Sequence, residues 1–298
     1  MARKRSRRSI GVGAARSREQ KSNVAGTFAR AGSTLRYWTA GPEDAPVVVC
    51  THGITLDHGT FAEQVPALRD AGYRVITWDL RGHGASQPMG EQISVQAAAE
   101  DLGVLLDEVG VERAVLVGES FGGLVIQEFY RCQPQRVMAL VLVGSPALGY
   151  RPRWHERLYG RIQPFILRLW PEGHLRRVAP SFMSKKPAVQ RYVARAIKAL
   201  SKADMVTVTE AALEGIEEYP PLDKVEVPVL AIHGEAERAM VVRMIQQMLH
   251  GWAADDALVH REVIPDAGHL PHNDNPTAFS ESLLQFLRQH VPTEALVA

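Results

Sequence analysis

The chain lacks several features that define whole classes of protein. It has only two cysteines among 298 residues, Cys50 and Cys132, which supply neither a disulfide framework nor a metal-ligand cluster. No stretch approaches the roughly 18 uninterrupted apolar residues of a membrane-spanning helix. We find no internal repeat in the sequence. These absences predict a folded protein of a reducing compartment, the cytoplasm, without an integral membrane segment.

A large excess of charge of one sign is also missing, except in the first 30 residues. These hold nine Lys and Arg and one Glu, so the other 268 residues carry a formal charge of −7 within a total of +1. A mildly acidic body argues against a nucleic-acid-binding core. Residues 1–24 are predicted to form a disordered basic arm, because they repel one another and have few apolar side chains to bury. Their Arg- and Ser-rich composition leaves organellar targeting as the alternative.

Strand-like and helix-like segments alternate along most of the chain. Continuous apolar runs such as "APVVVCTHG" and "RAVLVGES" are typical of strands buried on both faces, and helical segments separate them. The alternation stops at residues 147–225, which hold four proline-marked helical pieces and no strand. The pattern predicts an α/β fold with a mostly parallel, twisted sheet of about eight strands and helices on both faces. Residues 25–146 and 226–298 would form this core, with residues 147–225 inserted between strands 6 and 7 as a helical cap.

The segment "VLVGESFGGL" carries the most specific chemical signal. Residues Gly118 to Gly122 fit the pattern G-x-S-x-G, preceded by a predicted strand and followed by a predicted helix. A serine on such a sharp turn stands clear of the sheet, and glycine at the flanking positions leaves room for the close backbone approach. The N-terminus of the next helix also favours the negative charge that develops during attack. Ser120 is therefore predicted to be a nucleophile.

A serine hydroxyl attacks only when a base takes its proton. His269 lies just after the last predicted strand and just before the last helix, which places it at the same sheet edge as Ser120, so it is the predicted base. His272 is the fallback, although a surface-loop histidine is the simpler interpretation of it. The patterns around His83 and His52 indicate structural roles, in a turn and at a strand end.

An acyl-transfer site also needs donors for the oxyanion of the tetrahedral intermediate. The backbone N–H of Phe121, the residue after the nucleophile, is one predicted donor. The second should come from the loop that follows the "APVVVCTHG" strand. Ile54 is the predicted second donor, with the neighbouring amide of Thr55 as the alternative.

Five motifs together resemble those of the α/β-hydrolase fold superfamily, in its serine-nucleophile, esterase- and lipase-like branch. They are "THGITLDHGTF", "WDLRGHGAS", "VGESFGGL", "IHGEAER" and "PDAGHLPH", in the order in which that superfamily has them. The resemblance runs from about residue 30 to the end of the chain, and the cap matches only in position. It implies the α/β-hydrolase fold and a catalytic triad in the chain order nucleophile, acid, base.

The resemblance also implies which carboxylate completes the triad. Members of the superfamily commonly have a motif like H-G-E-x-D, whose aspartate is the triad acid, and Glu237 occupies that position here. Glutamate is accepted in triads of this fold, although its side chain is one methylene longer. Glu235, nearer the strand end, is the alternative acid, and a surface charge facing Arg238 is the alternative role for Glu237. The region after the preceding strand has no carboxylate before Glu156.

The resemblance implies a serine hydrolase that cleaves a carboxylic ester through an acyl-serine intermediate. A lactonase or C–C bond hydrolase on the same triad is one alternative, and a ligand receptor without significant turnover is another. Epoxide hydrolases and haloalkane dehalogenases of this superfamily carry aspartate at the elbow, where this chain has Ser120. The predicted chemistry calls for neither a metal nor an organic cofactor, and water is the second substrate.

The segment 153–170, "RWHERLYGRIQPFILRLW", predicts an amphipathic cap helix. Its apolar side chains share one helical face, and they are Trp154, Leu158, Ile162, Phe165, Ile166 and Leu169. A pocket lid over a small hydrophobic ester is the favoured interpretation. The arginines around that face would suit an anionic substrate equally well, and contact of a basic amphipathic helix with a membrane surface is the alternative.

Overall fold

The computed structural model describes residues 24–91, 93–222, 224–252 and 258–293. The strands are β1 (Val24–Arg30), β2 (Ser33–Ala40), β3 (Val47–Thr51), β4 (Arg74–Trp78), β5 (Ala114–Glu119), β6 (Val137–Val143), β7 (Val229–Gly234) and β8 (Val259–Ile264). The helices are α1 (Gln64–Asp70), α2 (Val95–Glu108), α3 (Phe121–Cys132), α4 (Trp154–Leu169), α5 (Glu172–Met183), α6 (Pro187–Ala196), α7 (Lys202–Glu217), α8 (Ala239–Trp252), α9 (Pro271–Asp274) and α10 (Pro276–His290). Residues 1–24, the predicted basic arm, lie outside the described part except for Val24, which begins β1.

The eight strands form one sheet in the order β1-β2-β4-β3-β5-β6-β7-β8. In the described part of the chain, β2 is antiparallel to both of its neighbours, β1 and β4, and every pair from β4 to β8 is parallel. Alternate residues of β3 enter two separate cores: Val47 and Val49 join the cluster that includes residues of α2 and α3, and Val48 and Cys50 join the cluster of α1 and α10. The predicted mostly parallel sheet with helices on both faces is therefore confirmed.

Parallel strands bring their carboxyl ends to one edge of the sheet, and that edge collects the predicted site. Ser120 follows β5 directly, Glu237 lies three residues after the end of β7, and His269 lies five residues after the end of β8. Loops at this edge are the usual location of ligand sites in open α/β sheets.

Four helices, α4 to α7, lie between β6 and β7, where the sequence predicts the cap. A small apolar cluster joins this insertion to the loops at the sheet edge: Val189 and Val193 of α6 pack with Leu56, which follows β3, and with Leu270, which follows His269. The cap is thus fixed to two loops that border Ser120. In the ranges that the structure describes, no helix is both long enough and apolar enough to span a membrane.

The prediction that the apolar face of α4 lines a pocket is wrong. The buried residues of α4 are Glu156, Gly160 and Pro164, which share the opposite side of the helix. Trp154 and Leu169, at the two ends of the apolar face, are 78% and 69% exposed. The helix therefore packs on the protein with Glu156, Gly160, Pro164 and the half-buried Leu167, and turns its other large apolar side chains into solvent.

The start of α3 lies directly against the end of β3, a contact that only glycine permits. A Cβ atom on Gly122 would overlap the carbonyl oxygen of Thr51 and lie 2.7 Å from that of His52, and a Cβ on Gly118 would overlap the carbonyl of Gly122. The obstructing atoms belong to the backbone of the central sheet and cannot swing away. These glycines let α3 begin immediately beside the strand that precedes the oxyanion loop.

We expect Gly122→Ala to lower the free energy of unfolding by about 1–3 kcal/mol, the usual cost of overpacking a rigid site. Chemical denaturation of the variant measures it. Gly173→Ala is the matched control, because Gly173 lies in α5 with nothing within 4 Å of the position that an added methyl group would occupy. That control should be neutral or more stable by up to about 1 kcal/mol. Equal stability of Gly122→Ala and wild type would contradict the packing described for the elbow.

Candidate active site

Ser120 occupies a strained turn between β5 and α3. Its backbone has φ 50° and ψ −112°, a conformation that non-glycine residues rarely adopt and that persists only where the surroundings enforce it. Its N–H donates to the carbonyl of Val143 on β6 at 2.9 Å, and its own carbonyl accepts from the N–H of Gly123 at 3.0 Å. Sheet and helix together hold the turn, so the hydroxyl of Ser120 stands at the sheet edge as the motif predicts.

Three residues far apart in sequence form a chain of contacts that ends at that hydroxyl. The Nε2 atom of His269 lies 3.3 Å from the Oγ of Ser120, and the Nδ1 atom of the same ring lies 2.7 Å from the Oε2 of Glu237. His269 is only 6% exposed. With a carboxylate on Nδ1, the ring carries its proton there, which leaves Nε2 free to accept the proton of Ser120.

Glu237 is held as an anion in a buried position. Burial alone would raise its pKa, but the charge and hydrogen bond of His269 and the N–H of Arg238 outweigh that effect and leave the pKa below its ordinary value. The Arg238 N–H donates to Oε1 at 2.7 Å, so the oxygens have separate partners. Glu237 is therefore not a surface charge. The alternative acid, Glu235, is exposed, and its carboxylate accepts a hydrogen bond from the N–H of Asp266 at 3.3 Å.

Asp274 fixes the loop that carries His269, and no motif in the sequence singles it out. Its Oδ2 accepts from the N–H of Gly268, the residue before His269, at 2.8 Å. Its Oδ1 accepts from the hydroxyl of Ser184, which follows α5 in the cap. The position of the imidazole is thereby linked to the end of a cap helix.

His272 is not a surface histidine, contrary to the interpretation favoured from sequence. Its ring is fully buried, stacks on Phe61 with 5.0 Å between ring centroids, and lies 2.8 Å from the hydroxyl of Thr60 through Nε2. Burial first, and the nearby His269 second, lower its pKa to about 3. It is a neutral ring of the loop packing and does not reach Ser120.

His52 and His83 have the structural surroundings expected of them. The Nδ1–H of His52 donates to the carbonyl of Gly53 at 2.7 Å, and its Nε2 accepts from the N–H of Leu80 at 3.0 Å. The buried ring of His83 lies 3.1 Å from the carbonyl of Arg81 through Nδ1. His52 thereby connects the loops that follow β3 and β4, and the His83 ring lies 5.1 Å from it between ring centroids.

The two predicted oxyanion donors lie in segments next to Ser120: Phe121 follows it, and a Cβ atom on Gly53, the residue before Ile54, would lie 3.1 Å from the Cβ of Ser120. Phe121 begins α3, and Ile54 lies in a turn closed by a 3.4 Å hydrogen bond from the N–H of Leu56 to the carbonyl of Gly53. Within the described ranges, neither the Phe121 amide nor the Ile54 amide donates to a protein acceptor. The amide of Thr55, whose φ is 64°, is in the same turn, so the choice between Ile54 and Thr55 stays a prediction.

Glu119 is a site residue that sequence reasoning missed. Its carboxylate is fully buried, lies 3.7 Å from Nε2 of His269 through Oε1, and has no well-formed hydrogen bond among the described residues. It fills the space beside Gly53, where any side chain on that glycine would overlap it. Burial raises its pKa to about 7, and the nearby His269 ring and Gly53 amide offset only part of that effect. A charged residue in the variable position of the G-x-S-x-G pattern is the signal that identifies it.

A cavity of about 300 Å³ adjoins Glu237 and His269 between the cap and the sheet edge. It is bordered by the end of α5, including Phe182 and Met183, and by basic side chains of the cap, Lys185 and Lys186. In the described ranges, no group of three or more His, Cys, Asp or Glu residues has a metal-binding arrangement. The lining of this cavity thus combines apolar, basic and acidic side chains, and Asp266 pairs with Lys186 at 2.7 Å.

The buried Glu119 predicts a specific dependence of stability on pH. Its folded-state pKa of about 7 lies above the ordinary value of 4.5, so its contribution is fully present below pH 4.5 and is lost as the pH rises through 7. Relative to Glu119→Gln, wild type should lose up to about 3 kcal/mol of unfolding free energy between pH 4.5 and 8. Urea unfolding at several pH values measures this difference, and the exposed Glu235→Gln serves as control. A pH-independent difference between wild type and Glu119→Gln would contradict the burial of an unpaired carboxyl.

Residues 42–276 match the family model described as serine aminopeptidase, S33. The 3-oxoadipate enol-lactonase 1 of Acinetobacter baylyi is 27% identical over 277 residues, which cover 87% of this chain and 95% of that protein. Epoxide hydrolase A of Mycobacterium tuberculosis is 40% identical, but over 139 residues that cover 43% of each chain.

Solved structures agree with this relationship. A thermophilic esterase from Thermogutta terrifontis superposes with a TM-score of 0.72 at 27% identity and covers 91% of this chain and 100% of its own. The enol-lactonase from Burkholderia xenovorans gives a TM-score of 0.74 over 88% of this chain and 99% of its own, and at 22% identity it shows the fold alone. The family model spans far more than half of the sequence, and the chain therefore belongs to the serine aminopeptidase S33 family of hydrolases with the α/β-hydrolase fold.

Proposed function

We propose that this hydrolase cleaves carboxylic esters through an acyl-serine intermediate. The observation that carries the proposal is the position of His269, which contacts the hydroxyl of Ser120 with one ring nitrogen and the buried carboxylate of Glu237 with the other. A neutral imidazole in this tautomer is a general base for the serine, and an ionised partner stabilises the imidazolium that forms.

In the proposed mechanism, the Oγ of Ser120 attacks the ester carbonyl while its proton passes to Nε2 of His269. The amides of Phe121 and Ile54 hold the oxyanion of the tetrahedral intermediate. Collapse of the intermediate breaks the bond to the alcohol, which leaves with the proton from His269. Water then attacks the acyl-serine, with His269 again as base. The bond from the acyl group to Oγ breaks, the acid is released, and the proton on His269 returns to the Oγ of Ser120.

The alternative that a specific observation favours is a lactonase. The enol-lactonase of Acinetobacter baylyi is similar to this chain over almost its whole length, and a lactone is an ester whose alcohol stays tethered to the acid. The same attack, oxyanion and proton transfers would open the ring. Epoxide opening has less support, because Ser120 stands where the epoxide hydrolases of the superfamily carry aspartate.

The assignment of Glu237 predicts the outcome of a pair of matched substitutions. Glu237→Gln should lower kcat/KM for p-nitrophenyl esters by about 10²–10⁴-fold, because an amide no longer stabilises the imidazolium or enforces its tautomer. Glu235→Gln, two residues away and exposed, should remain within about twofold of wild type. Initial rates on esters from acetate to laurate, with Ser120→Ala as the inactive reference, measure both effects.

Other outcomes would change the proposal in distinct ways. A large loss in Glu235→Gln with an active Glu237→Gln would reassign the acid. Wild type no faster than Ser120→Ala on every ester would reject ester cleavage, and the same enzymes would then be assayed on γ-lactones and enol-lactones. Ring opening that requires Ser120 would establish the lactonase, and its absence would favour a ligand receptor.

A further inference from the structure

Helix α4 exposes a continuous stripe of large apolar side chains. The stripe consists of Trp154, Leu158, Ile162, Phe165, Ile166 and Leu169, each at least 40% exposed. Their spacing of three and four residues places them on one face over the full length of a 16-residue helix. A contiguous apolar surface of this kind, flanked by charge, marks an interaction site in most proteins that keep it.

The packing of α4 fixes the direction in which the stripe points. At about 100° per residue, the buried residues Glu156, Gly160 and Pro164 are about 170° around the helix from the centre of the stripe. Glu156 is buried in an ion pair with Arg243 at 2.5 Å and accepts from the hydroxyl of Tyr150 at 3.1 Å. Rotation of the stripe toward the protein would expose this pair, so the stripe stays turned away from the protein.

The exposed charges of α4 itself are all basic, and one of them, Arg168, pairs with Glu210 of α7 at 2.6 Å. Arg157, Arg161 and Arg168 follow one another along one edge of the exposed surface, with Arg153 at the start of the helix, and Glu156, the acid of α4, is buried. The cap as a whole, residues 147–225, holds fourteen Lys and Arg against eight Asp and Glu. Residues 1–30 are basic as well, so the acidic character of the chain is confined to the rest of the sequence.

We propose that the stripe and the arginines of α4 dock this protein onto an anionic phospholipid surface. A helix lying in the membrane interface needs a long apolar face, basic residues beside it and an aromatic ring near an end, and α4 has all three. The same face of a second copy would bring an excess of arginines, of which Arg168 already has Glu210 as its partner, and this makes it the less complementary occupant. Docking goes beyond the proposed ester cleavage and does not depend on it, so Ser120→Ala should bind as wild type does.

Vesicle sedimentation with the full chain tests the proposal. Wild type should bind vesicles of phosphatidylcholine with 30% phosphatidylglycerol at least tenfold more tightly than vesicles of phosphatidylcholine alone. The double variant Leu158→Asp/Phe165→Asp should lose at least tenfold of that binding. A charge-matched control, Gln285→Asp/Gln289→Asp, adds the same two charges on the exposed side of α10 and should bind within about twofold of wild type. Thermal melting verifies that both variants are folded.

A second measurement reports contact of the stripe itself. Trp154 heads the stripe, so brominated phosphatidylcholine mixed into the anionic vesicles should quench part of the wild-type tryptophan fluorescence and much less of that of Trp154→Phe.

Two results would overturn the proposal. Full binding by Leu158→Asp/Phe165→Asp, which keeps the basic residues 1–30, would assign vesicle binding to that N-terminal charge. A wild-type dimer in analytical ultracentrifugation that becomes monomeric in the same variant, without vesicle binding, would show that a second copy covers the stripe.

Discussion

The contact between the start of α3 and the end of β3 is the constraint on which the rest of the site depends. Gly122 brings the helix so close to the carbonyls of Thr51 and His52 that no other residue fits. That approach lets α3 begin directly after the strained turn of Ser120 and puts the loop after β3 beside it. One steric requirement therefore brings the predicted nucleophile close to the two segments that carry the predicted oxyanion donors.

Two buried carboxylates lie on opposite sides of His269, and their surroundings separate their pKa values. Glu237 has the Nδ1–H of His269 and a backbone N–H as partners, so it stays ionised despite burial. Glu119 lies near Nε2 without a well-formed hydrogen bond and has its pKa raised to about 7. When the surroundings move the pKa values of two identical side chains apart, the two side chains can have different protonation states at the same pH. Glu119 therefore holds its proton to a higher pH than Glu237 does, and Glu237 supplies the negative charge beside Nδ1 of His269.

Different helices of the cap contact the active-site loops and face the solvent. The end of α5 reaches the His269 loop through Ser184 and Asp274, and α6 packs on the loops bordering Ser120. Helix α4 packs on α7, pairs with Arg243 of α8 through Glu156 and presents its apolar stripe outward. The cap therefore has an inner part that shapes the site and an outer part free to meet another surface.

Local pattern alone determined much of this protein, because the relevant forces act over a few residues. The continuous apolar strands required a sheet covered on both faces, and the glycines around Ser120 required an elbow, since both follow from backbone sterics and burial along a short segment. The order of the motifs led to Glu237 and His269. Only the tertiary structure brought Glu119 beside His269, buried His272 and turned the stripe of α4 into solvent. Those outcomes depend on which neighbours occupy each side of a residue, and an amphipathic pattern specifies two faces without specifying which one packs on the protein.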